Sequence, residues 1–556
     1  MFCGGLLFAA LVSHGHPHTI DFGPDATAGY AVFRASPVTA APSGAVVRIS
    51  YANHPDRMTE RGDFWNETRA DYLGKDVPLP IPPSSTDRFE LFTVTTGGVC
   101  RARFQQGLVR YVRVAVDTPG AAVDIDGFRF ENRCTYSEEP VEGSFSCSDE
   151  RLNALWLASV RTCQLAAIPK RGEETLCAYL SDGAKRDRLV WSGDLWWADV
   201  NMYAAYASDS PYMPGSLRML ALAQTPEGYV QACPYPEAKR SPASGEYGPF
   251  ASDEFAAWFA PVMRNYALYT GDMALVRELF PNLRRLVGYL LRNVRDGVFI
   301  QRKETCKNAG ALRFGATSLH RRSYMQILLW KALSDSAEIA EWIGHGAEAK
   351  AWREEANLIA SVTRRDFRCE DGRSFAFSVE DRTYSTEANA LALAVRFVDR
   401  HEAAALAAAL PRNWHGKFQA LSARGRFEFG FGDLALKSLE EHGFFTVISP
   451  EWKGCRTTYE CMDVAMPGWG DEAHPDTAVA GLLTSYVLGV RPLSPGYATF
   501  VFDPVPPSSV DFAKGSVPTP HGPIVAEWRR VGDRIVKTVK SPPGVREASA
   551  VLGCRE

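Results

Sequence analysis

The chain has 556 residues, 61 Lys and Arg against 65 Asp and Glu, a formal net charge of -4, and 46% hydrophobic and 23% charged residues. A chain of this size is expected to form two to four domains, and its composition is that of a soluble globular protein, which excludes a disordered or fibrous one. The near-balanced charge gives no general attraction for phosphate backbones or anionic membranes, so neither nucleic acid nor a membrane is an expected partner.

The first 13 residues are apolar but carry no basic n-region, and they run almost at once into strand-like residues 18–23; no signal peptide is expected. No apolar stretch approaches the roughly 20 residues that a spanning helix needs. The 12 cysteines are scattered without a CxxC pair, so neither a zinc site nor a disulfide framework is expected, and reduced thiols in a cytoplasm fit best.

Residues 45–51, 89–94 and 111–116 alternate apolar and polar side chains between Gly, Pro and Asp, the pattern of an antiparallel sandwich. Residues 53–87, with prolines at 78, 80, 82 and 83, read as an inserted surface loop. After Ser144 the period becomes helical, and Ser148 followed by Asp149 and Glu150 predicts a capped helix start. Amphipathic segments follow at 195–207, 214–224, 252–270, 273–293, 318–343, 346–363, 384–396, 399–409, 432–442 and 474–488. Beyond Gly489 the text returns to short strands at 498–502, 524–528 and 534–539. The expected boundaries are a β domain over 1–140, a helical domain over 141–490 and a second β domain over 491–556.

Residues 181–197 are the densest unusual segment, with the carboxylates Asp182, Asp187 and Asp194, the cations Lys185, Arg186 and Arg188, and Trp191, Trp196 and Trp197. This mixture suits a sugar site. Aromatic rings stack on apolar sugar faces, charged groups bind hydroxyls, and glycosidic cleavage needs two carboxyl groups in different protonation states. A plain ion-paired loop over a tryptophan-rich core accounts for the same composition. There is no GxSxG elbow, HExxH, P-loop or dinucleotide fingerprint, so no cofactor is required.

Asp182, Asp187 and Trp191-Ser-Gly-Asp194 resemble, at the same spacing, the signature of the bacterial α-L-rhamnosidase family. Residues 19–23 and 127–131 are similar to the sandwich preceding that family's catalytic domain, and 515–523 with Glu527 and Trp528 to its closing sandwich. The resemblance implies an (α/α)6 toroid flanked by N-terminal and C-terminal antiparallel β-sandwich domains, and removal of terminal α-L-rhamnose with inversion. By match of position it makes Asp187 the general acid, where the family usually has Glu, and Asp182 and Asp194 ligands of the sugar. Thr457-Thr-Tyr-Glu460 fits the family's position for the base, one residue short in spacing, with Glu472 as competitor. His474 matches a sugar-contacting histidine, Asp253 an aspartate facing the ring's centre, and Trp191, Trp196, Trp197 and Trp469 are stacking candidates, with Arg186 beside the acid.

Inversion requires the two carboxyl groups about 6.5–9.5 Å apart, with water between base and anomeric carbon. A cation close to Asp187 would keep it ionised, so Lys185 or Arg186 is expected to point away. Two other readings share the pattern: a hydrolase of another deoxyhexoside or a uronide, and a carbohydrate-binding homologue without activity.

Overall fold

The computed structural model describes residues 11–13, 16–39, 43–63, 88–103, 106–131, 141–170, 176–185, 188–206, 210–234, 251–302, 322–412, 416–441, 443–461 and 472–548. Two antiparallel sheets open the chain. One pairs His18–Asp21, Tyr111–Val116, Ala45–Ala52 and Phe89–Val94 in that order, and the other Leu11–Ser13, Ala122–Glu131, Thr27–Thr39 and Gly98–Arg101. Alternation does what it predicts. Val47 and Ile49 of the first sheet and Phe33, Ile125 and Phe128 of the second bury into one shared cluster, while Arg48 between the first pair turns outward to Asp117.

The helices are α1 (Glu150–Ala166), α2 (Ser192–Ala205), α3 (Tyr212–Leu222), α4 (Asp253–Ala257), α5 (Phe259–Thr270), α6 (Met273–Arg292), α7 (Ser323–Trp342), α8 (Gly346–Asp366), α9 (Thr386–Ala394), α10 (Arg400–Ala409), α11 (Gly416–Glu428) and α12 (Gly432–Glu440). The segment expected to be helical at 474–488 divides into a 3-10 turn at Pro475–Thr477, a short helix at Ala480–Leu482 and a π turn at Leu483–Leu488. Every residue of α2 is buried, whereas α6 has one apolar and one charged face, so α2 is an inner helix and α6 an outer one. Among the described residues no helix is long and apolar enough to cross a membrane.

Three expectations shift. The cap of α1 is Asp149, whose carboxylate accepts from the Arg151 amide, while the Ser148 hydroxyl accepts from the Asp511 amide. Residues 252–270 break at Trp258 into α4 and α5. Ser144–Cys147, placed by the sequence at the start of the helical region, pairs with Phe512–Val517 and joins the closing sheet through Ile524–Val531 and Arg534–Lys540. Trp528 of that sheet is buried and donates from Nε1 to the Val487 carbonyl at 2.8 Å, tying the sheet to the last helical turn. The proline run at 78–83 lies outside the described residues.

Candidate active site

A short hairpin, Ala167–Ile168 with Tyr179–Leu180, leaves the end of α1 and leads into residues 181–185, and residues 188–191 precede α2. The loop is tightly held. Leu189 donates its amide to Asp182 Oδ1 at 3.1 Å, the Asp182 amide donates to the Leu189 carbonyl at 2.9 Å, and Tyr179 donates its hydroxyl to the Arg188 carbonyl at 3.0 Å. The Lys185 amide donates to Glu472 Oε1 at 2.5 Å. A Cβ at Gly183 would lie 2.8 Å from the Glu472 carboxyl carbon, so only glycine lets that carboxylate approach. Glu472 is therefore an acceptor for the loop backbone, fully buried against it.

Lys185 is paired with a buried carboxylate. Its ammonium lies 3.3 Å from Asp63, which also pairs with Arg88 at 3.1 Å, all three side chains being buried. Arg186, Asp187 and Trp469 lie outside the described residues.

Asp194 sits in the first turn of α2, where the helix N-terminus favours an anion. Around it gather Lys417 from the first turn of α11, His474 and Asp476. Lys417 Nζ is 3.4 Å from Asp194 and 3.7 Å from Asp476, and His474 Nδ1 is 2.6 Å from Asp476. Burial raises the Asp194 carboxyl to about 6, with Lys417 opposing and Asp476 and Glu460 adding to the rise. Burial works against a charged His474, but the carboxylate of Asp476, its hydrogen bond and the charges of Glu460 and Asp194 together raise the imidazole to about 10, so it is an imidazolium at neutral pH.

Glu460 reaches this cluster through a short antiparallel contact: its amide donates to the Glu472 carbonyl at 2.9 Å, and Tyr459 bridges to Ala473. Glu460 and Glu472 are thus opposed across the bridge, with different surroundings. The charge of Glu460 is felt by Asp194 and His474, whereas Glu472 serves the 183–185 backbone. Asp182, Trp191, Asp194 and Asp476 also line a narrow cavity of about 10 Å³, enough for about one water.

The aromatic candidates separate. Trp191 meets Phe255 edge-on at 5.6 Å beside the cavity, and Trp197 lies 5.7 Å beneath the Lys417 ammonium. Trp196 is 1% exposed and stacked on Trp258 at 4.4 Å, which makes it a packing residue. Asp253 is the first residue of α4, capped by Ser252, and accepts from the Tyr289 hydroxyl at 2.6 Å; Arg302 donates to the same hydroxyl at 2.8 Å.

Sequence reasoning missed Lys417, Asp476 and Glu254. Glu254 is buried, 3.6 Å from Arg322, and its carboxyl is raised by burial against the opposing charges of Arg322 and Lys417. Asp476 follows His474 by two residues and could have been read as its partner. Ligand atoms of Asp194, His474 and Asp476 lie within 4.8 Å of one another and could hold a cation, but Lys417 and the imidazolium already supply positive charge there.

Residues 140–421 match the model of the bacterial alpha-L-rhamnosidase 6 hairpin glycosidase domain, and residues 489–552 that of the bacterial alpha-L-rhamnosidase C-terminal domain. No curated protein matches the chain. Among solved structures, the chain is similar to the GH78 family rhamnosidase of Bacillus sp. GL1, at 18% identity and a TM-score of 0.72, covering 96% of this chain and 54% of that one. It is similar to the α-L-rhamnosidase of Dictyoglumus thermophilum at 16% identity and a TM-score of 0.69, covering 97% and 57%. For the rhamnosidase of Klebsiella oxytoca, solved with rhamnose bound, the figures are 17% identity, a TM-score of 0.65, and coverage of 85% and 87%. The chain thus spans little more than half the length of the first two. The family model, covering just over half of the chain and joined by its C-terminal companion in the same order, establishes that this protein belongs to the bacterial α-L-rhamnosidase family.

Proposed function

We propose that the protein is a glycoside hydrolase that removes terminal α-L-rhamnose by an inverting general acid/base mechanism. The observation that carries this reading is the meeting of Glu460, from late in the helical region, with Asp194, the end of the family-like 182–194 segment, around one buried and charged cluster. In this reading the helices close an (α/α)6 toroid over 141–490, between β-sandwiches at 1–140 and 491–556. A reducing compartment such as the cytoplasm belongs to this reading, as the scattered cysteine spacing suggests.

Asp187 is the acid: it gives its proton to the departing glycosidic oxygen as positive charge builds at the anomeric carbon. Glu460 is the base and takes a proton from the water that attacks the opposite ring face. Net, one water is consumed, and rhamnose and an alcohol leave. Asp182 and Asp194 accept from sugar hydroxyls, and the His474 imidazolium donates to one. Trp191, Trp197 and Trp469 offer apolar faces to the ring, and Arg186 and Asp253 complete the subsite.

The Asp at 187 favours one alternative, a homologue that binds sugar without cleaving it. A panel of aryl glycosides decides. Hydrolysis of p-nitrophenyl α-L-rhamnopyranoside ahead of other deoxyhexosides and uronides is expected; rhamnose binding with no hydrolysis of any rhamnoside would replace the proposal with the silent reading.

A further inference from the structure

Helices α2 and α11 carry Asp194 and Lys417 in their first turns and then run on together to a second cavity, of about 130 Å³, lined by Val200 of α2 and by Arg424 and Glu428 of α11. Six residues separate Asp194 from Val200 and seven separate Lys417 from Arg424, so at 1.5 Å per residue the two places are about 9–10 Å apart along the helices. Residues 481–492, which lead into the closing β region, form the other wall. The cavity is roomy enough for a molecule of several heavy atoms.

Three arginines face it, and they are not equivalent. Arg264 is neutralised by Glu338 at 2.6 Å and Asp335 at 3.4 Å, and Arg491 by Asp503 at 3.2 Å. Among the described residues no carboxylate lies within ion-pair distance of Arg424. Its guanidinium lies flat against Trp196, 4.2 Å from the ring centroid, and its buried Nε has no hydrogen-bond partner. Glu428, the acid in the cavity wall, pairs with Arg396 at 3.5 Å and accepts from the Tyr486 hydroxyl. Asp199, a buried acid that feels the Arg424 charge without pairing with it, accepts on both oxygens from the Asn265 amide at 3.0 and 3.3 Å; burial pushes its carboxyl well above the ordinary range, with that hydrogen bond and Arg424 opposing.

A guanidinium held partly out of water with no carboxylate in direct contact is costly, and a planar fork of donors is suited to bind a carboxylate or phosphate. Tyr269 and Ser485 place hydroxyls in the same wall. We propose that this cavity is a binding site for a small oxyanion, a carboxylate or a phosphate, seated on Arg424. The inference does not rest on the hydrolytic reading, since none of its residues belongs to the Asp194 cluster.

The test is isothermal titration of the full chain at low ionic strength with sodium phosphate, sodium acetate and, as control, sodium chloride. Saturable one-site binding of phosphate or acetate, and not of chloride, is expected, and which anion saturates tells phosphate from carboxylate. Arg424→Met, which keeps an alkyl stem over Trp196 and removes the cation, should weaken that binding at least tenfold. If that variant does not fold, Ser485→Ala carries the comparison, with a several-fold loss expected. No saturable binding of either anion by the unmodified chain, or unchanged affinity in the folded variant, would overturn the proposal.

Discussion

Replacing Lys417 by Met removes the cation that holds the Asp194 carboxyl down. The pair is 3.4 Å apart, and Coulomb's law gives an attraction of about 1 kcal/mol at the dielectric of water and about 5 kcal/mol at an effective value near 20. At 1.36 kcal/mol per unit this is a rise of about 1 to 3.5 pKa units, so Asp194, at about 6 with Lys417 present, should titrate at about 7 or higher without it. At pH 7 the carboxylate is mostly ionised in the unmodified protein; in the variant half or more of it carries a proton. A protonated Asp194 accepts sugar hydroxyls less well, so KM should rise at pH 7 and recover in alkali. The assay is kcat/KM against pH on an aryl α-L-rhamnoside, whose acidic limb reports groups of the free enzyme. The limb should move up by at least one pH unit. An acidic limb that stays in place, with Lys417→Met folded, would refute the assignment of Lys417 as the group that sets the charge of Asp194.

Asp187→Asn and Glu460→Gln should each lower kcat by about 10²–10⁴-fold with melting temperatures close to the parent, as expected for groups that move protons. Glu472→Gln should instead lower the melting temperature, by the equivalent of about 1–3 kcal/mol for a weakened buried acceptor, and leave the shape of the pH profile unchanged; loss of the basic group from the profile would make Glu472 the base. Stability should fall with rising pH in two windows. Asp194 is raised from 3.8 to about 6, so the native state holds an extra proton between those values and loses that advantage as pH climbs through 6. His474 is raised from 6.5 to about 10, so its contribution is complete below 6.5 and lost as pH climbs through 10. Asp194→Asn, followed by thermal melts, should remove the first window and melt higher than the parent at pH 8.

Where a side-chain pattern has two distinct faces, the sequence was readable. The strands at 45–52, 89–94 and 111–116 alternate, and the expected and observed limits agree within a residue. The amphipathic α6 begins at the expected residue and ends one residue early. Helix α11 escaped notice because it is buried on nearly every side, leaving no polar face to set a period against, and it carries Lys417 and Arg424. Trp258 ends α4 three residues before Pro261, which has no N–H to donate to the Ala257 carbonyl, so this break does carry a local signal that the 252–270 reading passed over. The cluster itself was half legible. The 182–194 spacing and His474 pointed to it, but Glu460 and Glu472 face each other across a short bridge, and that the Lys185 amide would take the Glu472 carboxylate is a tertiary contact with no local signal.

The central claim, two acids separated by a water and a sugar ring, is tested most directly by following p-nitrophenyl α-L-rhamnopyranoside hydrolysis by proton NMR and identifying the first anomer released. The account predicts β-L-rhamnose first, with the α anomer growing in only as mutarotation proceeds. Release of α-L-rhamnose first would contradict it, because retention places the second carboxylate on the anomeric carbon itself and leaves no room for the water that Glu460 is proposed to activate.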